Sequence, residues 1–502
     1  MHITARPGWS HESTELDSGA LCSQVLHCLL EVVSAFHIGR GGTSMSYMGK
    51  GVTKSATLCL RHLAHEMATY SDDKNWARLW SHQQQKSDPS RSVAAGDSGL
   101  VWMLTLWAYR DPEVRAAGLG IAVALTSTES GRIVMTSHCK HIPGGIWGAA
   151  FSILLDQAEC SMVRQQAALL LVNMTSQTMP CGSVELEQNV WQGPIVTDTE
   201  FEVSLVGLTA LLALIHHSQF YHEMLVLLCN FYAQPTIQPV SALEVPVSHL
   251  STSGSDSTLS TVAEFGTDGL QSTSGSNQLR SKSRGRIHQT SVSSSSKTRH
   301  STIEPGTANS SSSTLTGEQL EYQSIATPSL VSSVCHFLRN LVILAPQDTF
   351  TCLRKDSYVQ VLTNMVDTNL LDAYMTEMEE GCSDQLELVF CDLLHMYSAI
   401  LDLLRACVVY DTPIRQELLG NEDFIRSTAA LLTIRFEGSV DVEGSCHTLW
   451  SSVLSFLTVL LQLQGASALH SFTMAGHTLW TSISETVCTV LKKRLHPGQD
   501  PV

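Results

Sequence analysis

The stretch Asp111-Pro112-Glu113-Val114-Arg115-Ala116-Ala117-Gly118-Leu119-Gly120-Ile121-Ala122-Val123-Ala124-Leu125 decides the fold. Asp111 is a residue type suited to N-capping, and Pro112 falls in the first turn, where the missing N–H costs nothing. Apolar side chains then fill nearly the whole circumference. A helix of that kind must be covered on several sides. The same unit returns 49 residues downstream, where Met162-Val163-Arg164-Gln165-Gln166-Ala167-Ala168-Leu169-Leu170-Leu171-Val172-Asn173-Met174-Thr175-Ser176 aligns Val163-Arg164 with Val114-Arg115 and Thr175-Ser176 with Thr126-Ser127. Between the copies, Pro143 to Leu155 reads as a Gly-led amphipathic helix. A Val-Arg-led buried helix alternating with a Gly-led helix is the pattern of armadillo and HEAT repeats, with a period of roughly 40 to 47 residues that an insertion lengthens to this step.

Working outward, helical periodicity dominates and strand alternation is nearly absent. Leu330 to Ile343, Ser357 to Met365, Leu386 to Leu404 and Asn421 to Leu432 read as further helices, without the 49-residue self-similarity. A shorter echo, His447-Thr448-Leu449-Trp450-Ser451-Ser452-Val453, recurs as His477-Thr478-Leu479-Trp480-Thr481-Ser482-Ile483. Each copy is expected to open a long apolar helix with its Trp in the core. The second should end at Lys492-Lys493-Arg494, cations that suit a helix C-terminus. From 234 to 326 the composition changes, with 20 Ser between residues 251 and 320 and few large apolar residues. Such a segment cannot bury enough surface to offset its ordering entropy and is expected to be disordered. The expectation is therefore an all-α helical-repeat solenoid: a block over 1–233, a Ser-rich insert over 234–326, a second block over 327–496 and a tail over 497–502.

The chain has 502 residues, 43% of them hydrophobic, and a formal net charge of −17. That acidity argues against nucleic acid as a partner, because neutralising phosphate needs a surplus of Lys and Arg. Within the insert, Arg280, Lys282, Arg284, Arg286, Lys297 and Arg299 carry +6 without an intervening acid, so the rest of the chain carries −23. Ser281 and Ser283 lie among these cations as basophilic kinases prefer, and phosphorylation would add about −1.5 to −2 charges at each. This predicts a regulated docking segment for an acidic surface. The plainer alternative is a soluble linker. Fourteen Cys with no Cys-x-x-Cys pair fit a reducing cytosol, and Cys28, Cys59, Cys229, Cys391 and Cys488 read as small core residues. The apolar runs Leu205 to Ile215 and Val453 to Leu463 are too short to span a bilayer, so membrane insertion is not expected. Asn173 and Asn309 match glycosylation sequons that a cytosolic chain would leave unused.

Tests for chemistry are negative. Gly39 to Gly42 and Gly49-Lys50-Gly51 fail both the phosphate-loop and the dinucleotide patterns and read as inter-helix loop. His138-Cys139-Lys140-His141 lacks a second ligand pair, and His65-Glu66 and His222-Glu223 lack a second His at the fifth position. His62 with His65 shares a helix face but has no carboxylate in register. Glu379-Glu380, and Asp198 with Glu200 and Glu202, read as solvated faces or loop ends. No catalytic residue, cofactor site or metal site is expected.

The segments Leu104 to Pro180 and Val331 to Leu344, with the long Ser-rich interruption, resemble the rotatin family, very large armadillo-like proteins of centrioles and ciliary basal bodies. The resemblance implies a non-enzymatic scaffold for centriole maturation and cilium assembly, located at the cytoskeleton, centrosome and basal body, with protein partners. It also implies that this chain corresponds to a fragment or short form. A helix over Gly19 to Phe36 without an evident capping repeat agrees with that expectation. Two alternatives stand beside it: an armadillo-type adaptor whose Asn ladder binds basic peptides, and an enzyme on a helical-repeat scaffold.

Overall fold

The computed structural model describes residues 4–11, 17–36, 47–71, 73–82, 100–139, 142, 144–181, 183–188, 191–198, 203–233, 325–380, 384–434, 439–474 and 480–488. The chain runs through α1 (Ser18–Phe36), α2 (Tyr47–Tyr70), α3 (Leu79–His82), α4 (Val101–Trp107), α5 (Pro112–Thr126), α6 (Glu129–His138), α7 (Gly145–Leu155), α8 (Ser161–Met174) and α9 (Ser183–Gln188). A hairpin follows, β1 (Ile195–Asp198) paired antiparallel with β2 (Val203–Val206) in the register Ile195 to Val206. Then come α10 (Leu208–His217) and α11 (Phe220–Ala233). Beyond the insert lie α12 (Pro328–Leu344), α13 (Pro346–Lys355), α14 (Tyr358–Met365), α15 (Thr368–Glu380), α16 (Asp384–Tyr410), α17 (Thr412–Gly420), α18 (Glu422–Ala430), α19 (Val440–Gln464) and α20 (Ala466–Met474), with 480–488 also helical.

The fold is an all-α helical-repeat solenoid, built on one row of stacked helices. α1 packs on α2, α2 on α5, α5 on α8, α8 on α12, α12 on α16 and α16 on α19. α5 shows why the opening stretch reads as it does. Asp111 accepts from the Glu113 N–H at 2.9 Å, and eleven of the fifteen helix residues are buried. Its two glycines serve close approach. A Cβ on Gly118 would meet Leu106 at 3.0 Å, and one on Gly120 would meet Arg61 at 3.0 Å and Gln166 at 3.3 Å. Small residues here let α4, α2 and α8 all close on one helix.

The helical segments on either side of the insert share a core. Phe151 of α7, Phe220 of α11 and Phe337 of α12 form a triangle of rings with centroids 5.2 to 5.9 Å apart. Each such pair contributes about 0.5 to 1.5 kcal/mol beyond its burial. Tyr221 Oη donates to Thr349 Oγ1 at 3.1 Å, and Tyr358 Oη donates to the Tyr221 carbonyl. Asn230 on α11 and Ala326 just before α12 line the same small recess, and Ser161 Oγ donates to the Ile325 carbonyl. The chain thus leaves after Ala233 and returns at Ile325 beside its point of departure.

Several sequence expectations need correction. Gly49-Lys50-Gly51 belongs to the first turn of α2, not to a loop; neighbours that favour the helix outweigh the roughly 1 kcal/mol that each glycine costs. Cys59 and Cys391 are buried, but Cys28, Cys229 and Cys488 are exposed, because they lie on the uncovered sides of their helices. His447 does not open a helix: α19 starts seven residues earlier, capped by Ser439 and with Asp441 and Glu443 in its first turn. Trp450 is buried as expected, whereas Trp480 is 37% exposed. Length does not exclude a bilayer, since α1, α16 and α19 each contain a segment long and apolar enough to cross one. In α16, 67% of that segment is buried inside the protein between α12 and α19, against 17% in α1.

Candidate interaction site

The features that recur along the row are polar clamps between helices. Asn173 Nδ2 on α8 donates to the Val123 carbonyl of α5 at 2.8 Å and approaches Thr126 Oγ1 at 3.5 Å. Asn340 Nδ2 on α12 repeats this one step along, donating to the Val172 carbonyl and to Thr175 Oγ1, both at 3.1 Å. Val123 and Thr126 align with Val172 and Thr175 at the 49-residue offset. Each Asn therefore donates to a carbonyl in the last turn of the preceding helix, where the backbone offers no donor and the carbonyl otherwise receives only the shared hydroxyl of Thr126 at 3.1 Å or Thr175 at 3.2 Å. Thr126 and Thr175 complete the ends by donating to Ala122 and Leu171 carbonyls.

A second clamp works at the other end of the helices. Arg115 Nη1 donates to the Tyr109 carbonyl at 2.7 Å, Arg164 Nε to the Leu154 carbonyl at 2.9 Å, and Arg415 Nε to the Val408 carbonyl at 2.9 Å. Each arginine thus follows a β-branched residue; Arg164 and Arg415 cap the helix before their own, and Arg115 holds the turn that follows α4. Arg115 also makes a two-point contact with Glu159, at 2.7 and 2.8 Å. The pair Ile414-Arg415 is a third copy of the Val-Arg signature that sequence comparison alone did not single out.

Ser281 and Ser283, the candidate modification sites, lie outside the described residues, as do Asn309 and the basic stretch from Arg280 to Arg299. Of the metal-like cluster, Lys140 and His141 lie outside as well, while Cys139 is buried and burial pushes its thiol up to about 12. Among the described residues, no three His, Cys, Asp or Glu side chains group as metal ligands. His62 meets Thr4 Oγ1 at 3.5 Å, and burial with the adjacent Arg61 holds its imidazole low. Glu66 lines a recess of about 190 Å³, but its carboxylate is spent on the N-terminal segment, accepting from Gly8 N, Ser10 N and Ser10 Oγ at 2.8 to 3.1 Å. Glu223 accepts from Gln157 Nε2 at 2.8 Å. The Asn173 amide, matched to a sequon, is committed to Val123. Asn173 and Asn340 are thus occupied between helices and do not present the free ladder that basic-peptide recognition would use.

Stacked helices clamped by Asn and Arg define the class: a helical-repeat protein. No family profile matches the chain. In direct comparison the chain is rotatin-like, being 31% identical to human rotatin over 97% of its own length, with the same identity and coverage for mouse rotatin. It spans 23% of the length of each. An engineered protein of known crystal structure aligns over 92% of this chain and 91% of its own, at 10% identity and a TM-score of 0.24.

Proposed function

We propose that this chain is a non-enzymatic protein-interaction scaffold that acts in centriole maturation, cilium assembly and basal body organisation, at the cytoskeleton and centrosome. The observation that carries the reading is the similarity to rotatin along nearly the whole chain. The stacked architecture supports it, because repeats of this kind expose extended surfaces to other proteins. Its partners are proteins, with neither nucleic acid nor membrane insertion involved. The titratable side chains that sequence analysis weighed for catalysis support the non-enzymatic part, since Glu66 and Glu223 are engaged in holding the fold. The basic stretch around Ser281 and Ser283 serves as a phosphorylation-controlled docking segment for an acidic surface.

Proximity labelling with the tagged chain in ciliated cells tests the reading. Centrosomal and basal-body proteins are expected among the labelled species, and their absence would defeat it. Ser281→Asp with Ser283→Asp is expected to remove the partners that depend on the basic stretch.

A further inference from the structure

Between α12 and α16 the clamp changes its chemistry. Arg339 and Asn340 are adjacent, as are Val172 and Asn173, so the approach of Asp402 on α16 to Arg339 occupies the place of the next Asn clamp. Here charged side chains meet. Arg339 Nη1 lies 3.7 Å from Asp402 Oδ2, and Arg405 Nη2 lies 3.2 Å from Asp402 Oδ1. Two guanidiniums share one carboxylate. Arg339 Nη2 also donates to Asn340 Oδ1 at 3.3 Å, while its Nε is shut away from water with no hydrogen-bond partner. His336 Nδ1 is likewise buried without a partner, and its ring stands among Arg339, Asp402 and His395. His395 Nε2 is 3.2 Å from Ser445 Oγ on α19.

Other cations are matched differently. Lys54 has two carboxylates, of Asp111 and Glu113; Arg115 has Glu159; Arg354 has Asp411. Asp402 is the deepest of its own trio, with a side chain 19% exposed against 29% and 37% for Arg339 and Arg405. The surplus positive charge therefore faces outward. One helical turn beyond the two arginines, Ile343 and Val409 are 50% and 45% exposed.

We infer that this patch binds a carboxylate-bearing segment of a partner protein, in which acidic side chains engage Arg339 and Arg405 and a neighbouring apolar side chain covers Ile343 or Val409. The inference rests on the scaffold reading and names the chemistry of one partner. A guanidinium offers a planar fork of donors that matches a carboxylate in two-point contact, and here two such forks share the single carboxylate of Asp402. Partial burial makes the unbalanced charge costly, so an incoming carboxylate recovers more here than at a fully hydrated site. Both arginines stand on helices whose other faces are buried in the core, so little side-chain and backbone order is lost on binding. The same surplus charge repels a basic peptide.

The experiment is fluorescence anisotropy of the full chain with three labelled decapeptides: alternating Glu and Leu, alternating Lys and Leu, and alternating phosphoserine and Leu. The Glu peptide should bind, weaken with added salt, and lose at least about tenfold in affinity with Arg339→Gln plus Arg405→Gln. Asp402→Asn should tighten binding, because it removes the internal competitor; a purely structural role predicts no gain. Circular dichroism checks that each variant is folded, and if the double variant is not, the Asp402→Asn result decides. Unchanged affinity in both variants, or preference for the Lys or phosphoserine peptide, overturns the inference. Proximity labelling separates the two readings: a wild-type chain that binds the Glu peptide but labels no centrosomal protein breaks the cellular assignment and leaves the patch standing.

Discussion

α5 and α8 on one side of the insert, and α16 and α19 on the other, stack in the same row by different means. The first pair are helices of 15 and 14 residues whose equivalent positions make equivalent bonds, down to the Thr-Ser tails at 126–127 and 175–176. The second pair run 27 and 25 residues and share no such register; α16 meets α19 through His395 Nε2 and Ser445 Oγ, and meets α12 not through an Asn-to-carbonyl clamp but through Arg339 and Arg405 around Asp402. Stacking is thus carried by apolar coverage, and the polar linkage between neighbours can be exchanged without interrupting the row. The neutral clamp is inward and structural. The charged one faces outward and is available to a partner.

The hardest way to break this comparison is Gly131→Ala on α6. Its Cβ would fall 1.7 Å from the Leu125 carbonyl oxygen, a backbone clash that no side-chain rotation relieves. Stability should drop by more than about 3 kcal/mol. Hydrogen exchange should report lost protection in α5, α6 and α8 with α19 spared, because neighbours in a repeat stack interact mainly with one another. Equal loss in α19 would show that the row is more cooperative than two neighbouring contacts allow.

Alkaline pH should act on both regions alike. Burial pushes the thiols of Cys139 in the first and Cys335 in the second up to about 12. An unfolded thiol ionises near ~8.5, so above that value the folded chain retains protons that the unfolded chain has released. Stability is complete below that pH and falls as pH rises toward 12, by up to about 1.4 kcal/mol per pH unit for each thiol. Denaturant titrations at about pH 8 and about pH 10.5 measure the slope, and replacing both thiols by Ala should lower it by their share, leaving the part due to other buried groups such as Cys407, whose thiol burial also pushes up.

The clamps themselves give smaller effects. Asn173→Ala and Asn340→Ala should each cost about 1 to 2 kcal/mol, since each removes the inter-helix donor to a helix-end carbonyl and leaves it only the shared Thr hydroxyl. The two losses should agree within about 0.5 kcal/mol if the clamps are true equivalents, and a larger gap in denaturation midpoints would separate them. Asp402→Asn, in the outward-facing charged clamp, should change stability by no more than about 1 kcal/mol. A loss matching the Asn variants would mean that the ion pairs hold α12 to α16 after all.

How far the sequence disclosed this arrangement follows from the same contrast. Asp111-Pro112 and the all-round apolar helix were legible because cap chemistry and burial act within a single turn. The 49-residue echo was legible because α5 and α8 meet nearly identical neighbours. Asn340 was not, because its partner Val172 lies 168 residues away across the insert, and nothing local marks the pairing. Ile414-Arg415 escaped notice because α17 is short and lacks the long apolar helix that made the other two copies conspicuous. The share of Asp402 between two arginines is likewise a property of three-dimensional proximity, to which periodicity is blind. Composition overstated burial for Cys28, Cys229 and Cys488, since a thiol in an apolar run does not reveal which side of the helix is covered.

The closing of the chain beside its own point of departure has a mechanical consequence. With Asn230 and Ala326 lining one recess and Ser161 bonded to Ile325, tension applied through the segment between Ala233 and Ile325 enters the stack at a single point, at the ends of α11 and α12. Such a load peels two adjacent attachments apart instead of shearing a long helix along its neighbours. Its first casualties would be the Ser161–Ile325 bond and the contacts around Asn230 and Ala326, with the Phe151, Phe220 and Phe337 triangle, which meets α11 at its other end, reached only afterwards.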